Sequence, residues 1–229
     1  MCGRFTMTSA DAALLAAELG VPADSLEGYV PRYNIAPTEE HFIVRMKAEE
    51  REVVRARWGL VNSWARDASM AARAINARGE TLATRPAFRD AYAHRRCVVP
   101  ADGFFEWQGP KNNRQPLWFH RPDGGLLLFA GLYESWQPRA GEWQRTFTIV
   151  TTRANALVEP IHDRMPVILE ERDADCWMFA TTATAELLAL VEPPPARMLV
   201  ATPVSPRVNR AGNDDPSLLE PAGPTLAVQ

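Results

Sequence analysis

The sequence predicts an α+β protein built around an antiparallel sheet. Short apolar segments separated by turn residues follow one another between residues 97 and 169, and helical patterns lie between and after the strand-like segments. Neither GxGxxG nor GxxxxGK followed by Ser or Thr is present, so a nucleotide-binding α/β fold lacks its usual support. A chain of 229 residues forms one large domain or at most two small ones.

The first predicted element is a helix over residues 9–19, which begins at a Ser9 cap and ends at Gly20. Its apolar face is formed by Leu14, Leu15 and Leu19. Residues 21–40 contain three prolines and predict turns. Two strands joined by a charged turn follow, at residues 41–46 and 52–58.

A long loop is predicted from residue 58 to residue 74, and residues 81–94 predict a helix that Pro86 interrupts. The strands predicted next are residues 97–107, 115–120, 126–133, 144–151 and 165–169. Two helices are predicted last, at residues 171–179 and 182–191. We expect the chain after Pro216 to be a weakly patterned, frayed tail.

The composition excludes several classes of protein. No apolar run approaches the ~20 residues of a membrane helix, and residues 1–5 lack the apolar segment of a signal peptide, so we expect no membrane attachment and a cytoplasmic location. The three cysteines are too few and too scattered for a disulfide framework or a zinc site, and the four histidines do not cluster. We therefore expect neither a metal nor a cofactor.

The positive charge is concentrated in one segment. The net charge of −3 argues against nonspecific binding to nucleic acid, yet residues 51–100 hold ten arginines against four acidic residues. Arginine suits bidentate recognition of phosphate. A compositional preference for Arg over Lys, in a chain that is also rich in Ala and Pro, explains the bias equally well, and both interpretations stay open.

Cys2 becomes the first residue if the initiator methionine is removed, as is usual before a small residue. It would then carry an α-amine with an ordinary pKa of about 7.7–8.0 and a thiol with a pKa of about 8.5. Such an aminothiol condenses with an aldehyde, because the amine forms an imine and the thiol then closes a five-membered thiazolidine ring. No internal cysteine can do this. The alternative is a chance cysteine after Met1.

Other polar groups lie in settings suited to chemistry. Asn76 and Arg78 share a short apolar string. Glu106 lies among three aromatic residues, where burial would raise its pKa, and the alternative is an exposed carboxylate on a strand with one aromatic face. His162, next to Asp163 and Arg164, is a candidate because histidine is the residue type suited to acid–base work near neutral pH, although most such histidines are surface groups.

Trp58 and Trp64 flank residues 59–63, inside the arginine-rich segment. Aromatic residues interleaved with arginine are typical of a groove that binds single-stranded nucleic acid. Trp58 is expected to lie in the core. Trp64, beside Ser63 and Arg66, is the better candidate for stacking on a base.

Taken in order, nine strings of this sequence resemble the SOS response-associated peptidase (SRAP) family. They are residues 1–5 (MCGRF), 32–37 (RYNIAP), 58–60 (WGL), 75–80 (INARGE), 96–100 (RCVVP), 103–107 (GFFEW), 161–166 (IHDRMP), 203–205 (PVS) and 208–209 (VN). No single string is decisive, but all of them in the family's order are specific. The resemblance implies one domain over residues 1–229, with a barrel-like antiparallel core flanked by helices and a tail from about residue 216.

The resemblance also implies roles for individual residues. Cys2 matches the family's nucleophile, and Asn76 matches the amide that positions the Cys2 amine and the adduct. Glu106 matches the carboxylate that assists proton transfer, and His162 matches the imidazole at the sugar ring oxygen. The arginines that match phosphate-binding positions are Arg4, Arg78 and Arg164. The positions expected to line the DNA site are Asn34, Pro37 and Thr151.

Two positions depart from the family's pattern. Relatives usually have proline where this chain has Asn62, and many have a second aromatic residue where this chain has Ala65. That residue and the one at Trp64 are expected to wedge against a base beside the lesion. The departures put the affinity and the handling of adjacent duplex in question, but not the covalent chemistry.

Members of this family shield abasic sites by covalent attachment to single-stranded DNA. The resemblance implies a monomeric abasic-site sensor that forms a thiazolidine through Cys2, reverses it slowly and processes its own N-terminus, in the bacterial cytoplasm and at the nucleoid when bound to DNA. A glutamine amidotransferase with an N-terminal nucleophile is the first alternative, although the chain has no Asn-Gly pair for its oxyanion. A cysteine peptidase using Cys2, Glu106 and His162 is the second. A non-catalytic DNA-binding module is the third.

Overall fold

The computed structural model describes residues 2–110, 112–138 and 141–228, and it confirms an α+β fold. The strands of these residues are β1 (Phe5–Met7), β2 (Arg32–Ile35), β3 (Glu40–Lys47), β4 (Glu50–Trp58), β5 (Asn76–Arg78), β6 (Arg96–Ala101), β7 (Gly103–Gln108), β8 (Gln115–His120), β9 (Leu127–Trp136), β10 (Gln144–Arg153), β11 (Arg164–Pro166), β12 (Ile168–Leu169) and β13 (Val200–Pro203). The α-helices are α1 (Ala12–Glu18), α2 (Arg89–His94), α3 (Glu171–Met178) and α4 (Thr184–Ala189). Single turns of 3-10 helix lie at Ala23–Leu26, Ala71–Arg73, Gly79–Thr81, Ala196–Met198, Pro206–Asn209 and Pro216–Leu219.

Five strands close into a ring, which confirms the barrel-like core. Antiparallel pairs join β4 to β3, β3 to β6, β6 to β9 and β9 to β10. The ring closes through a parallel pair between β10 and β4, in which Phe147 lies opposite Trp58. The pairing in the ring is therefore antiparallel except at this closing pair. Closure also removes the free edges that an open sheet of these strands would leave.

Aromatic side chains fill the ring. Trp58 and Phe147 stack with their ring centroids 6.2 Å apart, and Phe5 meets Trp58 edge to face at 5.1 Å. All three are fully buried, and burial of a side chain such as phenylalanine stabilises a fold by about 1.5–3 kcal/mol. The indole N–H of Trp58 donates to the carbonyl of Ile75 at 2.8 Å. Trp58 is thus the core residue that the sequence predicted, and it also holds the backbone next to Asn76.

A second sheet, in the order β13-β8-β7-β1-β2, surrounds the N-terminal strand. Phe5 of β1 lies opposite Phe104 of β7 on one side and opposite Ile35 of β2 on the other. The backbone N–H of Phe105 donates to the carbonyl of Arg4 at 3.0 Å, so the pairing continues beyond the start of β1. The segment before β1 therefore runs beside β7, toward Glu106.

The first helix differs from its prediction at its start and on its face. It begins at Ala12, and its cap is Asp11, whose carboxylate accepts from the backbone N–H groups of Ala13 (2.9 Å) and Leu14 (3.0 Å). A carboxylate that accepts two of the orphan N–H groups is a better cap than Ser9. Leu14 is 57% exposed, so only Leu15 and Leu19 of the predicted face are buried. The predicted end at Gly20 is confirmed, because this glycine has a φ of 63°.

Several short strands were missed by the sequence analysis. β1, β2, β5 and β13 have three or four residues each, too few to establish an alternating pattern. The strand predicted over residues 165–169 is two short strands, β11 and β12. The predicted strand over residues 97–107 is two strands, divided at Asp102, whose carboxylate accepts from the hydroxyls of Thr6 (2.5 Å) and Thr8 (2.6 Å). The predicted helix over residues 81–94 forms only after Pro86, as α2.

The C-terminal segment is not a frayed tail, which corrects the sequence-based expectation. Leu226 and Ala201 exchange backbone hydrogen bonds of 2.8 and 2.9 Å, so the segment pairs with β13. Leu218, in the turn of 3-10 helix after Asp215, is fully buried. Weak patterning at these positions reflects docking through a few side chains and backbone groups.

Within the described ranges, no helix has the length and apolar character needed to cross a bilayer. The same residues include no cluster of three or more His, Cys, Asp or Glu side chains arranged to hold a metal ion.

Candidate active site

Cys2 lies at the inner end of the N-terminal segment, beside β7. Its side chain is fully buried, and its thiol donates to the carbonyl of Arg4 at 3.6 Å. Burial raises the pKa of the Cys2 thiol, and the negative charge of Glu106 raises it further. Both effects favour the protonated thiol. Met1, whose removal the sequence analysis expects, lies outside the described residues.

The side chain of Asn76 contacts Cys2 from β5, which pairs with the ring strand β10. This residue opens β5, which runs parallel to β10 with Asn76 opposite Ile149. Its side-chain amide donates to the carbonyl of Cys2 at 2.7 Å. The other amide atom, Oδ1, is buried and accepts no hydrogen bond from the described part of the chain. Asn76 therefore holds the Cys2 backbone with its donor and keeps an acceptor for a group not yet bound.

Glu106 projects from β7 into the protein. It is 4% exposed, so the buried interpretation of this residue is confirmed and the exposed alternative is wrong. Burial raises the pKa of the Glu106 carboxyl, whereas the nearby charge of His162 lowers it. A carboxyl with a raised pKa can both accept and return a proton near neutral pH.

His162 ends the loop that precedes β11. Its Nδ1 accepts from the backbone N–H of Arg164 at 2.9 Å, and it lies 3.0 Å from a carboxylate oxygen of Asp163. A neutral ring that accepts at Nδ1 carries its proton on Nε2, and a charged ring can instead donate from Nδ1 to Asp163. The imidazole is thus oriented by its own loop and has a partner in either charge state.

Arg164 is tied to two other elements. Its guanidinium donates to both carboxylate oxygens of Glu80, at 2.5 and 2.9 Å, and to the carbonyl of Thr151 at 2.6 Å. Thr151 is itself buried in β10, where its hydroxyl donates to the carbonyl of Ala77 at 3.4 Å. In this structure the predicted phosphate-binding arginine therefore already holds an anion. No role was predicted for Glu80, because its partner Arg164 lies 84 positions away along the chain.

Arg4 and Asn34 organise a strap formed by residues 208–214. Arg4 donates to the Asn34 side-chain oxygen (2.8 Å) and to the carbonyl of Val208 (2.9 Å). The amide of Asn34 donates to three strap carbonyls, of Val208, Arg210 and Asn213, at 3.2, 3.1 and 2.8 Å. None of these acceptors is charged, so the hydrogen bonds hold the Arg4 side chain in place without pairing its charge with an anion.

The remaining predicted residues lie on loops and strand ends. Trp64 is 71% exposed in the long loop after β4, Arg78 is exposed at the end of β5, and Pro37 is half-buried in the turn after β2. The carbonyl of Ala65 accepts from the indole of Trp136 at 2.8 Å, so the loop that carries Trp64 is anchored to β9. Trp136 was not recognised from the sequence, because its partner is distant along the chain.

Comparison with known proteins identifies the family of this chain. A model of the family described as SOS response associated peptidase (SRAP) matches residues 1–211. The chain is 37% identical over 224 residues to the abasic site processing protein YoqW of Bacillus subtilis (strain 168), covering 96% of this chain and 99% of that protein. It is 32% identical over 226 residues to the abasic site processing protein HMCES of Gallus gallus, covering 84% of this chain and 67% of that protein.

Solved structures resemble the fold as well. A crystal structure of a protein from Bacteroides thetaiotaomicron superposes with a TM-score of 0.86 at 28% identity, covering 96% of this chain and all of that chain. A family model that spans most of the chain, relatives above 30% identity and the same fold all agree. The protein belongs to the SOS response associated peptidase (SRAP) family.

Proposed function

We propose that this protein processes abasic sites in single-stranded DNA by forming a covalent thiazolidine through Cys2, after removal of Met1. One observation carries the proposal: Asn76 binds the carbonyl of buried Cys2, and the charge of Glu106 acts on the Cys2 thiol as that of His162 acts on Glu106, so groups from four separate parts of the chain are coupled there. The relatives named abasic site processing proteins support the same lesion as substrate.

The first step opens the abasic sugar, which equilibrates between a closed hemiacetal and an aldehyde. His162 in its charged form delivers the Nε2 proton to the ring oxygen and keeps its Nδ1 proton, which faces Asp163. The anomeric hydroxyl releases its proton to solvent as the aldehyde forms. The amine of Cys2 then adds to the aldehyde carbon, and loss of water leaves an imine. Glu106 takes a proton from the attacking amine and returns one to the departing hydroxyl, a role that suits its raised pKa.

The second step closes the ring. The Cys2 thiol adds across the carbon–nitrogen double bond, so that a carbon–sulfur bond forms and the thiol proton passes to the nitrogen through Glu106. Asn76 holds the Cys2 carbonyl during both steps, and its free acceptor receives the N–H of the product. The balance is one aldehyde and one aminothiol giving one thiazolidine and one water. Reversal by the same groups would be slow, because the ring must reopen before the imine is hydrolysed.

Binding of the strand uses charge and stacking, without reading of bases. Arg4, Arg78 and Arg164 are the proposed phosphate contacts, and Asn34, Pro37 and Thr151 are proposed to shape the surface around them. Trp64 is exposed and able to stack on a base beside the lesion. Phosphate contacts position a strand and carry no sequence information, as suits a lesion that lacks a base.

The proposal is tested by mixing purified protein with single-stranded DNA that contains an abasic site. A denaturing gel run without borohydride is expected to show a heat-stable band at the summed mass of protein and DNA. Intact mass of the same preparation is expected to lack Met1. A preparation that forms the band while it retains Met1, or an acylated N-terminus, contradicts the mechanism, because an acylated amine cannot form an imine.

Arg78→Ala is expected to weaken noncovalent binding to undamaged single strands and to flatten its salt dependence. Each phosphate contact on a single strand contributes about −0.7 to the slope of log affinity against log salt concentration. Because Arg78 lies outside the reacting groups, crosslinking should largely recover at saturating DNA. Titrations at several salt concentrations and crosslinking time courses measure the two effects. A slope equal to that of the wild type removes Arg78 from the phosphate contacts.

A further inference from the structure

Glu80 lies between two cations at the edge of the site. Its carboxylate receives both Nη groups of Arg164, and these hydrogen bonds, with the charges of Arg164 and Arg78, lower its pKa. The two partners differ in accessibility, since the side chain of Arg164 is 11% exposed and that of Glu80 is 53% exposed. The guanidinium is therefore held inside the protein, and the carboxylate that covers it faces water.

The guanidinium is fixed from the protein side. Nη2 of Arg164 donates to the carbonyl of Thr151 at 2.6 Å, and the backbone N–H of Arg164 donates to His162 at 2.9 Å. A phosphate binds arginine through the same two parallel hydrogen bonds that the Glu80 carboxylate makes here. The position that the Glu80 carboxylate occupies on Arg164 is thus a preformed anion-binding site, which we call the Arg164 seat. Arg164 lies two residues after His162 in the chain.

We infer that Glu80 is an internal competitor for a DNA phosphate: its carboxylate fills the Arg164 seat in the free protein and leaves when a phosphate near the abasic site enters. This inference rests on the proposed function. The Glu80 side chain can move away from Arg164 without disrupting the core, because it is exposed and lies on the one-turn 3-10 helix Gly79–Thr81. Every strand that binds through Arg164 must first displace this carboxylate. Glu80 therefore lowers the affinity for every strand whose phosphate enters the seat, and it sets how tightly the free protein binds DNA before the covalent step.

Glu80→Gln is expected to bind undamaged single-stranded DNA about tenfold more tightly than the wild type. The phosphate then no longer has to replace a charge-assisted hydrogen bond between Glu80 and Arg164, and the free energy of one such bond corresponds to about a tenfold change in affinity. The slope of log affinity against log salt should become more negative, by up to about 0.7, because the Arg164–phosphate contact no longer replaces an internal ion pair. Fluorescence anisotropy with a labelled oligonucleotide at several salt concentrations measures both quantities.

A neighbouring ion pair supplies the matched control. Arg153, which lies opposite Arg164 in the β10–β11 pair, binds Glu192 at 2.8 Å on the exposed surface. Glu192→Gln removes the same charge, so a general electrostatic effect would tighten binding equally in both variants. If Glu80 competes at Arg164, only Glu80→Gln should bind single-stranded DNA more tightly than the wild type. The same substitution in an Arg164→Gln background should leave the affinity unchanged.

The outcomes separate this inference from the proposed function. Weaker binding by Glu80→Gln, or an equal gain in Glu192→Gln, overturns the competitor role while the wild type still binds and crosslinks. Failure of the wild type to bind single strands overturns the proposed function as well. If Glu80→Gln does not fold, Glu80→Asp provides the test: it keeps the charge but shortens the reach to Arg164, so it should also bind more tightly than the wild type, and weaker binding overturns the inference.

Discussion

Cys2→Ala protein is expected to form no heat-stable crosslink with abasic single-stranded DNA under conditions in which the wild type is fully converted. The substitution keeps the α-amine but removes the sulfur that closes the ring. The imine then stays open to hydrolysis and to β-elimination of the strand. The loss should be complete on a denaturing gel, and borohydride should trap an adduct because it reduces the imine that still forms.

Cys2→Ser is the matched variant for this experiment. Serine keeps the amine and places an oxygen where the sulfur lies, but an oxazolidine is much less favoured than a thiazolidine. We therefore expect a borohydride-trapped adduct and no stable one, as for Cys2→Ala. A heat-stable link that Cys2→Ala forms without borohydride would identify another residue as the nucleophile. Loss of the trapped adduct as well would indicate that the Cys2 side chain is needed to position the amine.

Glu106→Gln is expected to slow crosslinking at saturating DNA by about 10²–10⁴-fold, the range that positioned general acid–base groups contribute. Glutamine keeps the shape of the side chain but cannot carry the proton between amine, hydroxyl and thiol. Noncovalent affinity and its salt slope should change little, since the group is buried away from solvent. Single-turnover time courses measure the rate. Normal crosslinking together with lost affinity would assign Glu106 to binding and not to chemistry.

The same substitution should stabilise the protein at neutral pH. Burial raises the folded-state pKa of Glu106, so the folded state binds its proton more tightly than the unfolded state does. The free energy of unfolding therefore falls as the pH rises above the unfolded value of about 4.3, and removal of the carboxyl cancels this loss. Glu106→Gln is expected to have a higher Tm than the wild type at pH 7, with the difference vanishing below about pH 4. Each kcal/mol gained corresponds to about 2–4 °C in a domain of this size.

Glu134 provides the control for stability. It is as deeply buried as Glu106, and its carboxylate binds Arg95 at 2.8 Å. Glu134→Gln removes one of the two carboxylates that Arg95 binds, and Asp90 stays as a charged partner. Burial raises the pKa of Glu134 as well, but the ion pair with Arg95 opposes the rise, so this variant should gain less stability at neutral pH than Glu106→Gln and should crosslink at the normal rate. Thermal unfolding of both variants at pH 4 and pH 7 compares them. A Tm of Glu106→Gln below that of the wild type at pH 7 would mean that the Glu106 carboxylate stabilises the fold and does not destabilise it.

The sequence by itself predicted the long strands and singled out the four groups that are proposed to carry the chemistry. β3, β4, β8, β9 and β10 each have six or more residues, long enough for a pattern to appear. Cys2, Asn76, Glu106 and His162 were each visible in a local string, because their chemistry is unusual for the residues around them. Such properties are local: a strand pattern, a cap or an amine beside a thiol needs no knowledge of what lies across the fold.

Only the tertiary structure decided how these pieces meet. The ring closes through a parallel pair between β4 and β10, which lie about ninety positions apart in the chain. A local sequence pattern does not predict which distant strand will be the partner. The shortest strands form only where a neighbouring strand supplies their hydrogen bonds, as β5 does on β10. Glu80 and Arg164 are 84 positions apart, so their ion pair is invisible in either string. Burial and charge pairing are properties of the assembled fold, because they depend on which residues are brought within a few ångströms of one another.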